Sequence, residues 1–155
     1  MSSADSRTWV LTGSPENYAV THSLGLRLVG LKERRRRQAE QMEQGDRIVF
    51  YLTGHMCFAA SVIITGELVE DRSLLWPGKP GRADPYPWRR ATEPELVLEE
   101  VDWLAAETLI DGLEHIRKWP REHWKLAFGG QLRTISTIDS EVLAHRMGER
   151  ATTRA

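Results

Sequence analysis

The hydrophobic pattern is strongest between residues 45 and 71, where two apolar runs predict a β-hairpin. Every residue of the run 48–52 is apolar and the run 58–65 is nearly so, which is typical of strands covered on both faces. Gly54 and His55 can supply the turn, and Gly66 suggests a bulge or bend of the kind that closes a sheet on itself. The pattern predicts the two central strands of a small closed barrel.

Shorter patterns on either side of the hairpin predict the other elements. Strands are expected at residues 8–12, 95–101 and 132–136, and helices at residues 32–43 and 139–146. Gly45 follows the first helix where a left-handed C-cap is expected, and Thr137 is a candidate N-cap of the second. Residues 20–30 have no clean period and are predicted to be irregular, with a short strand near Leu26–Val29.

A long proline-rich segment, residues 71–90, separates the hairpin from the later strands. It holds four prolines and two glycines, which is too many for a regular element. It also holds Trp76, Tyr86 and Trp88, whereas a disordered linker is poor in aromatic residues. The segment is therefore predicted to be a packed loop, and long ordered loops often carry function.

Length and composition predict one soluble domain. The chain has 155 residues, and a domain of that size buries roughly 68–70% of the surface of its unfolded chain. We expect the domain to span residues 8–147, between a frayed N-terminus (1–7) and a flexible tail (148–155). Cys57 is the single cysteine, which excludes an intrachain disulfide and favours a reducing cytoplasm. No apolar signal core or run of about 20 apolar residues is present, so no membrane association is expected, and a monomer is favoured.

The charge pattern contains one local basic excess. The formal net charge is −1, which gives no global field for nucleic acid, but residues 27–47 hold seven Lys or Arg against four acids. At about 100° per residue the run Arg34–Arg37 points almost all the way round a helix, so at least one arginine must face the barrel. The candidate phosphate contacts are Lys32, Arg34, Arg35, Arg36 and Arg37. A solvated helix face is the alternative interpretation.

The sequence offers no convincing catalytic constellation. The five histidines lack metal-ligand spacing and Cys57 has no partner, so neither a metal nor another cofactor is expected. Ser14 lacks the glycine-flanked setting of a nucleophile elbow, and Glu99 and Glu100 would point to opposite faces of a strand. The chemistry therefore favours a binding protein over an enzyme.

Tryptophan is abundant, with six residues in the chain. Trp9, Trp103 and Trp124 are predicted to fill the core. Trp76 and Trp88 each lie beside a proline in the long loop, and Arg89 follows directly. Ring stacking and positive charge can converge on one ligand there.

Six segments, in this order and with this spacing, resemble the EVE domain family of bacterial stand-alone type over nearly the whole chain. They are Trp9–Asn17, Gly30–Asp46, Ile48–Gly54, Glu70–Trp76, Tyr86–Arg89 and Leu132–Ser136. The resemblance implies an α/β (α+β) fold, a PUA-like β-barrel with helices packed around it, related to the YTH readers of methylated RNA.

The resemblance also implies a pocket that accepts a modified nucleobase of DNA or RNA without changing it. Carried over by position, the pocket residues are Ser14, Pro15, Glu16, Asn17, Phe50, Tyr51, Leu52, Thr53, Trp76, Tyr86, Pro87, Trp88 and Arg89. Some eukaryotic relatives have a tryptophan before the glycine that precedes the basic helix, whereas Leu28 and Val29 precede Gly30 here.

The hypothesis is that a base lies between two aromatic rings while Asn17 or Ser14 reads its polar edge and Arg35, Arg36 or Arg89 holds a phosphate. Two other functions stay open at the level of sequence. A hydrolase of modified nucleosides would use Glu16 as its acid or base. A small-molecule sensor would bind a metabolite at the barrel mouth and ignore polynucleotides.

Overall fold

A curled β-sheet forms the centre of the molecule, and helices pack against both of its faces. The computed structural model describes residues 6–77 and 85–152. The strands are β1 Thr8–Gly13, β2 Leu28–Leu31, β3 Arg47–Leu52, β4 Cys57–Ile64, β5 Val69–Glu70, β6 Trp88–Val97, β7 Leu104–Ala105 and β8 Leu132–Ile135. The α-helices are α1 Pro15–Ser23, α2 Arg36–Gln41, α3 Glu114–Arg117 and α4 Thr137–Thr152. Short 3₁₀ helices cover Glu33–Arg35, Glu100–Asp102, Ala106–Leu109 and Arg121–Phe128.

The strand order is β2-β6-β4-β3-β1-β8, with β5 paired to β6 and β7 paired to β4. The β1–β3 pair is parallel, and the other pairs are antiparallel. The edge strands β2 and β8 do not pair among the described residues, so the predicted closure is incomplete. Side chains bridge the gap, because the Lys32 N–H donates to Gln131 Oε1 (3.2 Å) and Gln38 Nε2 donates to Leu132 O (3.4 Å).

Each face of the sheet carries its own hydrophobic core. The inner core is lined by β1, β2, β3, β4 and β6 and is covered by residues of α1 and α2, such as Tyr18 and Ala39. The outer core lies under α3, α4 and the Arg121–Phe128 segment. Successive strand residues alternate between the two cores, which is why the central strands are apolar throughout. The predicted α+β barrel with helices around it is confirmed.

The β3–β4 hairpin is confirmed, and its turn contains Gly54 at φ 79°. Gly66 lies after the end of β4 at Ile64, so the prediction of a bulge there is wrong, whereas the alternative of a bend is confirmed. The register shifts of β4 lie opposite Phe50 and Tyr51 of β3 and, toward β6, between Ser61 and Val62. Gly66 has another function. A Cβ built on it would lie 2.8 Å from Ala91 Cβ, so only glycine allows this close approach to β6.

Several element boundaries differ from the prediction. Residues 15–23 form α1, where loop and irregular structure were expected. The first predicted helix is shorter, since it starts as a 3₁₀ turn and ends at Gln41, and Gly45 (φ 94°) lies in the turn before β3. Strand β6 begins at Trp88, inside the predicted loop, and passes Pro94 beside a register shift, where proline is tolerated.

The last helix, α4, extends to Thr152 and so continues past the predicted end at Arg146. Ser136 rather than Thr137 caps it, because Ser136 Oγ accepts a hydrogen bond from the Asp139 N–H (3.1 Å). The buried Asp139 carboxylate in turn accepts from the N–H groups of Glu114 (2.8 Å) and His115 (2.9 Å) at the start of α3. A single aspartate therefore joins α4 to α3.

His115 gives the outer core a pH-dependent contact. Its ring is buried, and Nε2 donates to Ala127 O at 2.6 Å. Burial lowers the pKa of His115, and this hydrogen bond only partly opposes the effect. The neutral ring is therefore the form that the fold favours.

We expect the free energy of unfolding to fall as the pH drops below about 6.5, the ordinary pKa of histidine. The unfolded chain takes up the proton at a higher pH than the folded chain, so the stabilisation present above that value is lost below it, by at most about 1.4 kcal/mol per pH unit. Chemical denaturation between about pH 7.5 and pH 5.5 measures this slope. His115→Gln should flatten it, whereas His145→Gln, on the exposed face of α4, should leave it unchanged. Equal slopes for parent and His115→Gln would contradict the assignment.

Candidate functional site

The aromatic residues Trp76 and Tyr86, here called the ring pair, both belong to the proline-rich segment and contact each other. The part of the segment between them is called the proline-rich loop below. Their ring centroids lie 5.8 Å apart at an interplanar angle of 70°. Each residue is 7% exposed. An edge-to-face arrangement of this kind is favourable for two aromatic rings and holds the two ends of the loop together.

Helix α1 holds the ring pair through two side chains one helical turn apart. Asn17 Nδ2 donates to the Tyr86 hydroxyl (2.9 Å), and Trp76 Nε1 donates to Thr21 Oγ1 (3.0 Å). Residues i and i+4 share a helix face, so both bonds point the same way. The start of the helix fixes their direction, because Ser14 Oγ caps the Asn17 N–H (3.1 Å) and Pro15 occupies the first turn.

Gly30 of β2 provides the surface under the ring pair. A Cβ built on Gly30 would lie 2.6 Å from Trp76 Cζ3 and 2.8 Å from Tyr86 O, and real side chains do not approach so closely. The Tyr86 backbone is left-handed (φ 49°), a conformation that is uncommon for a residue other than glycine. The absence of a side chain at Gly30 therefore lets both segments lie against β2.

Arg89 binds residues on both sides of the same loop, at positions 71–73 and 85–86. The residue is 2% exposed, and its centre of charge lies 5.2 Å from the centroid of the Trp76 ring. Its guanidinium donates to Tyr86 O (3.2 Å), Pro85 O (3.0 Å), Ser73 Oγ (2.9 Å) and Ser73 O, and it lies 3.3 Å from the Asp71 carboxylate. These donors serve the loop, so the predicted phosphate contact of Arg89 is not what the structure shows.

The basic segment, residues 32–37, begins two residues after Gly30. Arg34, Arg36 and Arg37 are exposed. Arg35 is the arginine turned inward, as the helical period required, and its Nη1 donates to Gln38 Oε1 (3.0 Å). The segment thus offers three accessible guanidinium groups.

Trp88 anchors the basic segment to the sheet. Its Nε1 donates to Glu33 O (2.8 Å), and the Arg36 guanidinium lies 5.1 Å from its ring centroid. Trp88 belongs to the inner core, and strand alternation places it on the face of β6 opposite Arg89. The structure therefore does not bring Trp88 into the ring pair.

The predicted residues of the hairpin also separate. Phe50 and Leu52 face the inner core, whereas Tyr51 stacks on Phe128 in the outer core with centroids 4.5 Å apart. Thr53 is exposed, and its N–H donates to Gly13 O (2.9 Å). Of the remaining predicted residues, Glu16 is exposed on α1 and Pro87 is buried.

Sequence reasoning missed Thr21 and the packing function of Gly30. The signal for Thr21 was available, because Ser14-Pro15-Glu16 is a helix start, and a helix beginning there places residues 17 and 21 on one face. The contact of Gly30 with Trp76 joins segments 46 residues apart, and no local pattern reveals it.

Two kinds of feature are absent from the described part of the chain. Residues 6–77 and 85–152 contain no group of three His, Cys, Asp or Glu side chains placed to hold a metal ion. Within these ranges, no helix is both long and apolar enough to cross a bilayer.

Comparison with solved structures identifies the fold. A YTH domain-containing protein, mmi1, solved in complex with RNA, superposes with a TM-score of 0.67 at 10% identity, covering 96% of this chain and 85% of that one. The YTH domain of Zygosaccharomyces rouxii MRB1, in complex with N6-methyladenosine RNA, gives 0.63 at 15% identity, covering 94% and 90%. A hypothetical protein from Leishmania major gives 0.61 at 13% identity, covering 95% and 98%. The chain therefore has a YTH-like fold.

No protein-family model matches the sequence, and no curated protein does so either. The expected fold is thus supported by structure alone, and the EVE resemblance stays a prediction.

Gly30→Ala should disrupt the ring pair. The new methyl group would meet the Trp76 ring and the Tyr86 carbonyl, and overpacking of this kind typically costs about 1–3 kcal/mol. We expect a lower unfolding midpoint and a changed tryptophan fluorescence spectrum. Gly148→Ala is the matched control, because a Cβ there meets no atom within 4 Å. A Gly30→Ala protein with parental stability and fluorescence would show that the ring pair does not need this contact.

Proposed function

We propose that this protein binds single-stranded nucleic acid and recognises a modified nucleobase, of which a methylated base is the first to test, without altering it chemically. The observation that carries the proposal is the convergence of Asn17, Trp76 and Tyr86 next to the basic segment. Support also comes from the fold, since solved structures with this fold include YTH domains in complex with RNA.

Access to the ring pair requires a contact to be exchanged, because Trp76 and Tyr86 are each 7% exposed. The contact most easily exchanged is the part-buried hydrogen bond from Asn17 to Tyr86. A neutral hydrogen bond contributes about 0.5–1.5 kcal/mol net, and stacking of a base on an aromatic ring contributes about 1–3 kcal/mol. The exchange therefore ranges from a cost of about 0.5 kcal/mol to a gain of about 2.5 kcal/mol and is favourable over most of that range.

The small free energy gained by stacking also leads us to expect a preference for single-stranded nucleic acid over a duplex. Extruding a base from a duplex costs a few kcal/mol, which would consume the gain from stacking. An unpaired base avoids this cost. We therefore expect a single strand to bind more tightly than the same sequence in a duplex.

Burial of one added methyl group is not enough for strong discrimination between modified and plain bases. Burying a methyl contributes about 0.8 kcal/mol, which is about fourfold in affinity. The Asn17 side-chain NH₂ group that donates to the Tyr86 hydroxyl can instead donate to an acceptor on the edge of the base. We assign the reading of the base edge to Asn17 and enclosure of the added group to the ring pair.

The exposed arginines of the basic segment supply the phosphate contacts in this proposal. Arg34, Arg36 and Arg37 present their guanidinium groups to solvent, and guanidinium binds phosphate with two parallel hydrogen bonds. These contacts carry no sequence information, so they raise the affinity for plain and modified strands alike.

The first test compares a variant expected to change the base preference with one expected to change the affinity. Asn17→Ala should reduce the preference for a methylated over a plain oligonucleotide toward one. Tyr86→Phe keeps the ring, removes the hydroxyl that accepts from Asn17, and should retain the preference while raising the affinity about two- to twelvefold. Fluorescence anisotropy at about 0.15 M salt measures both quantities. A parent protein that binds methylated, hydroxymethylated and plain strands equally well would refute base recognition.

The second test concerns the phosphates. Arg34→Gln combined with Arg37→Gln should lower the slope of log affinity against log salt by about 1.4, since each phosphate contact on a single strand contributes about 0.7. The loss should be equal for modified and plain strands. Arg146→Gln on α4 is the control and should leave the slope unchanged. An unchanged slope in the double variant would exclude the basic segment from the interface.

A further inference from the structure

A second, open cleft lies between the β3–β4 turn and the Arg121–Phe128 segment. Its volume is about 510 Å³, within the range of about 300–1,000 Å³ that is common for small-molecule sites. Met56, Ile110 and Trp124 form an apolar wall. The cleft contains none of the residues assigned to base recognition above.

The cleft adjoins the elements of the proposed base site. The Thr53 N–H, in the turn that forms one side of the cleft, donates to Gly13 O (2.9 Å), and Gly13 leads directly into α1. At the other side, the Thr12 hydroxyl donates to Phe128 O (3.2 Å) at the end of the Arg121–Phe128 segment. The C-terminal end of β1 therefore joins α1, which carries Asn17, to both sides of the cleft.

The Arg121–Phe128 segment also leads toward the basic segment. It is followed by Gly129 and Gly130, and a Cβ built on Gly130 would lie 3.6 Å from Arg35 Nη2. The Arg121–Phe128 segment thus contacts the end of β1, and the residues that follow it lie next to Arg35 of the basic segment. We expect a strand held by the basic segment to pass this way.

Two basic side chains line the cleft, together with two acidic ones. Arg121 and Lys125 line it, and Arg117 and Lys118 precede them on exposed positions. Arg121 pairs with Asp111, but the two side chains are 66% and 78% exposed, and a pair so exposed is weak. Its guanidinium is therefore readily exchanged for a phosphate.

The cleft also offers hydrogen-bond acceptors. Glu107 and Glu122 both line it. A carboxylate accepts from the exocyclic amino group of a base, whereas it repels phosphate. These three kinds of lining side chain match three parts of a nucleotide. The apolar side chains suit the plane of the base, the carboxylates suit its amino group, and the basic side chains suit the phosphate.

We propose that this cleft binds a nucleotide of the same single strand that lies more than two positions from the modified base, here called the flanking nucleotide. The inference rests on the proposed function. It adds a second subsite, whose specificity is for a flanking base that carries an amino group, and it gives the strand a path across the end of β1.

Length dependence tests this subsite separately from base recognition. The probes are fluorescent RNA and DNA strands of about 12 and about 5 nucleotides with the modified base central, together with the plain forms of each. Arg121→Glu combined with Lys125→Glu should weaken the long strands at least tenfold and leave the short strands within twofold. Arg146→Glu on α4 is a single charge-reversal control and should weaken neither. Thermal unfolding of each variant checks that the fold is intact.

The outcomes separate the two proposals. Preference of the parent for the modified base reports only on the ring pair, whereas loss confined to long strands reports only on the cleft. Equal loss for long and short strands, or no loss at all, would overturn the flanking subsite even if the parent discriminates between bases. Glu107→Gln should lower the preference for a flanking cytosine or adenine over uracil, and an unchanged preference would refute the role given to the carboxylate.

Discussion

Two consecutive buried arginines at the start of β6 hold together the parts of the molecule on which the candidate site depends. Arg89 is 2% exposed and Arg90 is 7% exposed. Arg90 donates to Ala39 O (3.1 Å) and Met42 O (2.5 Å) at the end of α2 and to Gly66 O (3.1 Å) after β4. Burial lowers the pKa of Arg90, and the carboxylates of Asp46, Glu43 and Glu67 oppose that change. A buried cation is costly unless its donors are satisfied, so these carbonyls must stay in place.

Arg89 and Arg90 face opposite sides of β6, and this alternation determines what each of them holds. Arg89 binds residues on both sides of the proline-rich loop, and Arg90 binds α2, which begins within the basic segment. The ring pair and the basic segment are therefore fixed to the same short stretch of backbone. Relative movement of the two would require one of the arginines to lose its carbonyl partners.

The sequence predicted the parts of the fold that depend on local pattern. The hairpin followed from two apolar runs and a glycine turn, whereas α1 was missed because only Tyr18 and Thr21 of its nine residues are buried, which leaves no amphipathic period. Contacts with Trp76 and Tyr86, more than 50 residues away in the chain, support that helix instead. The start of β6 was missed because the four prolines and two glycines of residues 71–90 indicated a loop, and because burial of the arginines there depends on carbonyls from distant segments.

The candidate site divides in the same way. Asn17, Trp76 and Tyr86 were predicted and do come together, but Phe50 and Tyr51 were placed in one pocket although neighbours in a strand face opposite cores.

The contacts around the ring pair also indicate the direction from which a base could reach the rings. On the β6 side, Arg89 binds the loop through charge-assisted bonds to several groups, whereas on the α1 side the bonds from Asn17 to Tyr86 and from Trp76 to Thr21 are neutral. Charge-assisted bonds are roughly twice as strong as neutral ones, so the α1 side opens first. On that side, Ser14 and Gly13 connect α1 to the end of β1, and the end of β1 is bonded to the elements on both sides of the second cleft.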